Sequence, residues 1–261
     1  MTVKIVEYNP NTPFPSKMMV FADSTDGFAP FLAGMSMIGK DEVSEPDLRI
    51  FYSGTDGQTE NTIPEPMPIE WMGYYVESRE GETILLLRVA GGDVSWDNVF
   101  TSITAFMDSN LSSDLETVVV CSSIISSTFA NTLGEGEICM YDWVDDERIG
   151  MFMTSEGFAV DGVAGIHDVG WMIPHILKNI YGFNQEQGDE KQLFSMLYAP
   201  SQTKDVDVDA AKKMCEFYNQ SWDLDTDIEM VDEVVLALLQ QIRPAESDEF
   251  MGNVFDWGES H

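Results

Sequence analysis

Thr83-Ile-Leu-Leu-Leu-Arg-Val-Ala90, then Gly91-Gly92-Asp93, a run from Trp96 to Met107, and Thr117-Val-Val-Val-Cys-Ser122 follow one another in the middle of the chain, and their reading decides the fold. The first run is continuously apolar and contains branched residues, which suits a strand buried on both faces; a strand with one wet face would alternate. The glycines break it. Ser95 is placed to cap the helix that follows, where Trp96, Val99, Phe100, Ile103, Phe106 and Met107 recur at helical spacing before Asp108-Ser-Asn-Leu-Ser-Ser113 ends it. Two such strands joined by an amphipathic crossover helix make a right-handed βαβ unit. The expected fold is therefore α/β: a three-layer α/β/α domain with a largely parallel or mixed central sheet and a C-terminal helical pair.

Upstream, Val3-Lys-Ile-Val6 reads as a first strand, with a Pro-rich turn from Pro10 to Pro15 and an apolar strand at Met18-Met-Val-Phe-Ala22 after it. A helix from Phe28 to Ile38 comes next, with Phe28, Phe31, Leu32 and Met35 on one face, and Leu48-Arg-Ile-Phe-Tyr52 is the strand expected after it. Residues 53–68, with Gly54, Gly57 and three prolines, form a loop. Met72–Glu77 and Glu82–Leu87, separated by Ser78-Arg-Glu-Gly81, read as a β-hairpin leading into the central unit.

Downstream, residues 122–136 form a Ser-, Thr-, Asn- and Gly-rich loop with room for a short helix. Ile138–Tyr141 and Ile149–Met153 are expected to pair across the acidic turn Asp145-Asp-Glu147. A glycine-punctuated stretch from Gly157 to Gly165 leads into a helix over Trp171–Tyr181, with Pro174 in its first turn and Gly182 at its end. Gln192–Tyr198 is another buried strand. Asp207 or Asp209 caps a helix through Gln220 that buries Ala211, Met214, Cys215 and Tyr218 or Phe217. Thr226-Asp-Ile-Glu229 fits a capping box for a last helix, striped by Ile228, Val231, Val235, Leu238, Leu239 and Ile242. Residues 1–243 are read as one domain and 244–261 as an acidic tail.

The 261 residues carry 13 Lys and Arg against 46 Asp and Glu, a formal net charge of −33. That balance argues against nucleic-acid binding, which needs clustered cations on phosphate. The acids are spread along the whole length, as on a generic solvated surface, so steering toward a basic partner is the weaker reading. No run of eighteen apolar residues spans a bilayer, and Met1-Thr-Val-Lys-Ile-Val6 lacks the zones of a signal peptide. A soluble cytoplasmic protein, nuclear as well if eukaryotic, is expected. Cys121, Cys139 and Cys215 form no CxxC pair and read as packing residues.

Catalytic signatures are scarce. His167 beside Asp168 could form an oriented base, but adjacent loop residues usually point apart, and His175 sits in an otherwise apolar helix. The glycines from 157 to 165 could nest an anion, yet no Lys or Arg lies between 149 and 177, so close backbone packing explains them better. Asp205, Asp207 and Asp209 lack the later Gly and Glu of a calcium loop and read as capping acids. Neither a cofactor nor a metal is called for. One feature points to binding: Phe250, Met251, Val254, Phe255 and Trp257 stand among acids at amphipathic spacing, fit either to dock in a partner's groove or to pack back on the chain's own domain.

The order of elements resembles the proteasome assembly chaperone 2 family of archaea and eukaryotes. The likeness lies in Thr83–Arg88, Trp96 in its helix, Thr117–Cys121, the glycine-rich segment 157–165 with the helix after it, strand 192–198, Val208-Asp-Ala-Ala-Lys-Lys-Met-Cys215 and Trp222-Asp-Leu-Asp225. The resemblance implies an α/β/α domain without catalytic residues that binds 20S proteasome α-subunits, as a homo- or hetero-oligomer with a related chaperone, and helps their ring assemble. Several such chaperones end in a hydrophobic residue, a tyrosine and one final residue that insert between α-subunits. This chain ends Glu259-Ser-His261, so Phe250, Met251, Val254, Phe255 and Trp257 become the candidate substitute contact. The alternatives are a phosphorylase- or hydrolase-like α/β enzyme using His167 and Asp168 near the glycine loop, and an acidic scaffold that binds through charge alone.

Overall fold

The computed structural model describes residues 2–8, 12–22, 28–39, 46–53, 69–90, 96–109, 114–123, 138–142, 169–183, 191–198 and 206–237. Among these, eight strands, β1 (Thr2–Glu7), β2 (Lys17–Ala22), β3 (Leu48–Ser53), β4 (Glu70–Glu77), β5 (Thr83–Ala90), β6 (Thr117–Ser123), β7 (Ile138–Asp142) and β8 (Gln192–Tyr198), form one sheet in the order β1-β3-β4-β5-β2-β6-β8-β7. The helices are α1 (Ala29–Ile38), α2 (Trp96–Met107), α3 (Val169–Tyr181), α4 (Val208–Ser221) and a segment at 230–237, α5.

The middle of the sheet is parallel, β5 to β2, β2 to β6 and β6 to β8, while β1, β3 and β4 extend one side and β7 extends the other in antiparallel pairing. The sheet is mixed, as read from the sequence. The two strands of the central βαβ unit are not neighbours, however, because β2 inserts between β5 and β6, pairing Val20 with Leu87 on one side and Val120 on the other.

β5 is buried on both faces for the reason its composition suggested. Leu85, Leu87 and Val89 point into one core with Met18, Val20, Val118, Val120 and the apolar faces of α2 and α3; Ile84 and Leu86 point into a second with Met19, Phe21, Val119, Cys121, α1 and α4. The described strands and helices thus form a sheet between two helical layers. The α1 layer is the tighter. All ten residues from Ala29 to Ile38 are buried, so the single apolar face expected for this helix is too narrow a reading. Gly34 is what lets α1 lie so close: a Cβ there would stand 2.5 Å from the Phe21 ring.

Several local expectations need correction. Ile138–Asp142 pairs antiparallel with β8, through Ile138 and Tyr198, and the partner expected for it, 149–153, lies outside the described residues. Leu48–Ser53 is a strand, but it lies beyond β4 and pairs antiparallel with β1 and β4. Pro174 sits inside α3, which begins at Val169, and cannot donate toward the Gly170 carbonyl. The capping box at 226–229 does not form. Asp227 Oδ1 accepts from the Glu229 N–H at 3.1 Å, while the Thr226 N–H is taken by Asn219 Oδ1 at 3.0 Å, because the turn back onto α4 competes for it.

Candidate interaction surfaces

The sites the sequence nominated divide sharply. His167, Asp168, the glycines from 157 to 165, and Phe250, Met251, Val254, Phe255 and Trp257 all lie outside the described residues. His175 is half-buried on α3, edge-on to Trp96 of α2 with ring centroids 6.0 Å apart, and its Nδ1 stands 3.2 Å from Asn179 Nδ2. It is a packing residue between two helices.

The described polar groups that sit deepest are arranged for structure. Cys121 on β6 lies 3.2 Å from the Tyr218 hydroxyl on α4, and both are fully buried. Burial pushes the Cys121 thiol up to about 12, and Cys215 likewise to about 12, with Glu216 adding to the latter. Thiols so shifted are protonated at neutral pH and are not nucleophiles. At the carboxyl end of β8, the Tyr198 hydroxyl donates to Asp207 Oδ2, while Asp207 Oδ1 accepts from the Ala210 N–H at 2.9 Å and so caps α4. Tyr181 at the end of α3 donates to Asp108 Oδ1 at 2.9 Å, and burial followed by that carboxylate raises the phenol to about 12. These three tyrosines tie layers together. Among the described residues no three of His, Cys, Asp and Glu are gathered so as to hold a metal ion, and no helix is long and apolar enough to cross a membrane.

A surface of different character lies on the α1 side of the sheet. One register row there runs from Val6 through Arg49, Met72 and Arg88 to Phe21. Phe21 is buried under α1, but from Arg88 outward to β1 the row is half-buried, and Lys4, paired with Phe51, is exposed beside it. The Arg88 guanidinium lies over the Phe31 ring of α1, 5.3 Å from its centroid. Arg49 meets Glu70 at 3.5 Å, each side chain 37% exposed, while the Arg49 Nε is buried without a hydrogen-bond partner. Lys4, Arg49, Arg88 and Glu70 lie among the described residues on this part of the sheet. No sequence signal marked it, because Lys4, Arg49 and Arg88 are far apart in the chain and only strand register aligns them.

No family model matches this sequence, and no curated protein matches it significantly. Solved structures do share its fold. PbaB of Pyrococcus furiosus, an archaeal proteasome activator, superposes with a TM-score of 0.54 at 15% identity, covering 94% of this chain and 98% of that one. PbaA of the same organism, an archaeal homolog of proteasome-assembly chaperone, does so at 0.51 and 11% identity, covering 97% and 100%. A Mycobacterium tuberculosis protein of unknown function follows at 0.50 and 12%, covering 95% and 84%. At these identities the likeness is one of fold, and the fold is the one implied by the resemblance of the sequence to the assembly chaperones.

Proposed function

We propose that this protein is a non-enzymatic chaperone of proteasome assembly that binds α-subunits of the 20S particle and assists formation of their ring. The observation that carries the reading is the extent of the shared fold: nearly the whole of this chain and nearly the whole of the P. furiosus proteasome activator superpose. The deep polar groups support it, since each described buried thiol and phenol is spent on packing or capping. The partner contact falls to the tail, where Phe250, Met251, Val254, Phe255 and Trp257 offer an apolar stripe among acids, and the protein acts in the cytoplasm as a homo- or hetero-oligomer with a related chaperone.

The test is a native mass spectrum of the tagged chain co-expressed with proteasome α-subunits, in low and high salt. Recovery of α-subunits or half-assembled rings is expected, persisting at high salt because apolar contacts are not screened. Recovery of the chain alone beside abundant free α-subunits overturns the reading. Removing residues 244–261 is expected to abolish the recovery; full retention removes the tail from the interface.

A further inference from the structure

We infer that α5 is a charge-gated arm: the stretch from Ile228 to Ala237 docks on α4 through Lys212 and a small apolar seat, and loss of the Lys212 charge at low ionic strength releases it while the sheet and its other helices stay folded. The base of the arm is pinned. Trp222 and Leu224 are buried, Asn219 Nδ2 donates to the Thr226 carbonyl at 2.8 Å while its Oδ1 accepts from the Thr226 N–H at 3.0 Å, and Arg79 binds Asp225 at 2.9 Å. Beyond this turn the anchoring thins. Of residues 228–237 only Val231 is fully buried; Ile228, Val234 and Val235 are half-buried against the α1 core, and Leu236 is 58% exposed. A helix as short as α5, eight residues over 230–237, does not hold in water without packing, and a segment with so few buried apolar contacts opens locally at a small free-energy cost.

Charge decides which way so lightly seated a segment goes. From Asp223 to Glu233 the sequence carries six acids and no cation. Lys212 of α4 is the cation that meets them among the described residues, its Nζ 2.7 Å from Asp232 Oδ2 and 3.8 Å from Glu229 Oε2, with its side chain 25% exposed. The hydrogen bond to Asp232 raises the ammonium above its ordinary range against the opposing effect of desolvation, and the charges of Glu229 and of Asp209 on α4 add to it. Without the Lys212 charge, Asp209, Glu229 and Asp232 are left as like charges around one point of the helix pair, on a chain already at −33. An exposed pair is worth little to the molecule as a whole; it matters here because the element it holds is itself close to balance. Salt acts most on the diffuse repulsion through solvent and least on the close contact, so high ionic strength favours the docked arm. Nothing in the inference depends on a proteasome partner.

Amide hydrogen exchange of the full chain, followed by mass spectrometry at 0.1 and 1 M salt, tests it in the wild type, Lys212→Gln and Lys212→Arg. In Lys212→Gln at the lower salt the amides of 230–237 are expected to exchange about fivefold faster or more than in the wild type, while those of β5 and α1 keep their rates. Raising the salt should restore most of the protection, and Lys212→Arg, which keeps the charge, should retain it at both salts. Val231→Ala should open the arm at both salts, since it removes the apolar seat and leaves the latch. Equal protection of 230–237 in the wild type and Lys212→Gln at 0.1 M would overturn the inference. So would faster exchange shared equally by β5 and α1, which means loss of global stability and no separate arm. An arginine variant that opens like the glutamine one, or an open arm that salt does not close, would assign the effect to packing of the lysine side chain and remove its charge from the account.

Discussion

Gly34 and Cys121 show how single atoms hold the α1 layer. A methyl at position 34 would come within 2.6 Å of three Phe21 ring atoms, and that ring is itself fully buried between sheet and helix. Gly34→Ala is therefore expected to destabilise by about 1–3 kcal/mol through overpacking, read as a lower urea midpoint with unchanged slope. Combining it with Phe21→Leu should cost less than the sum of the two, since each relieves the other. The buried thiols predict a pH dependence. Their folded values near 12 lie above the 9.0 of an exposed thiol, so the folded state holds these protons more tightly. That contribution is complete below about pH 8.5 and is lost as pH rises toward 12. The urea midpoint should fall through this window, and less steeply in a Cys121→Ala, Cys215→Ala variant. Burial of Cys121 and Cys215 was readable from residue type, whereas the contact of Cys121 with Tyr218, 97 positions away, was not.

At the scale of the element, α4 depends on one carboxylate with two tasks. Asp207 caps the helix and accepts from Tyr198, which is 1% exposed at the end of β8. Asp207→Ala should cost about 2–4 kcal/mol, roughly 1 for the cap and the rest for a tyrosine hydroxyl left buried without an acceptor. Tyr198→Phe in that background should recover part of the loss in chemical denaturation. The sequence already offered Asp207 as a cap, since Asp before an apolar-periodic run is a local signal. It could not offer the bond to Tyr198, which depends on β8 ending where α4 begins. The failure of the capping box at 226–229 has the same origin: Asn219 on α4 outcompetes the local partner for the Thr226 N–H, and at the far end of that link Arg79 of the β4–β5 turn binds Asp225 at 2.9 Å.

For the whole molecule, the −33 charge is the dominant long-range term. Lys212 answers Asp232 at 2.7 Å and Glu229 at 3.8 Å between α4 and α5, but pairs of this exposed kind contribute little against so large an excess of acids. Self-repulsion should therefore lower stability at low ionic strength. Raising salt from 0.1 to 1 M shortens the screening length from about 10 to about 3 Å, so the thermal midpoint is expected to rise with salt. A midpoint that falls over this range would show that ion pairs, rather than repulsion, dominate the charge balance.

Composition and periodicity by themselves determined the class of fold, the doubly buried strand at Thr83–Ala90, the hairpin before it and the helix at Val208–Ser221, because each of these is set by residues within a few positions of one another. Only the tertiary structure decided that β2 lies between β5 and β6, that Ile138–Asp142 pairs with β8, and that every face of α1 is buried. Those outcomes depend on which strands find each other across long separations, and a buried apolar strand carries no local mark of its neighbour. The cationic row of Arg49 and Arg88 is of the same kind: register, which is a property of paired strands, brings it into existence.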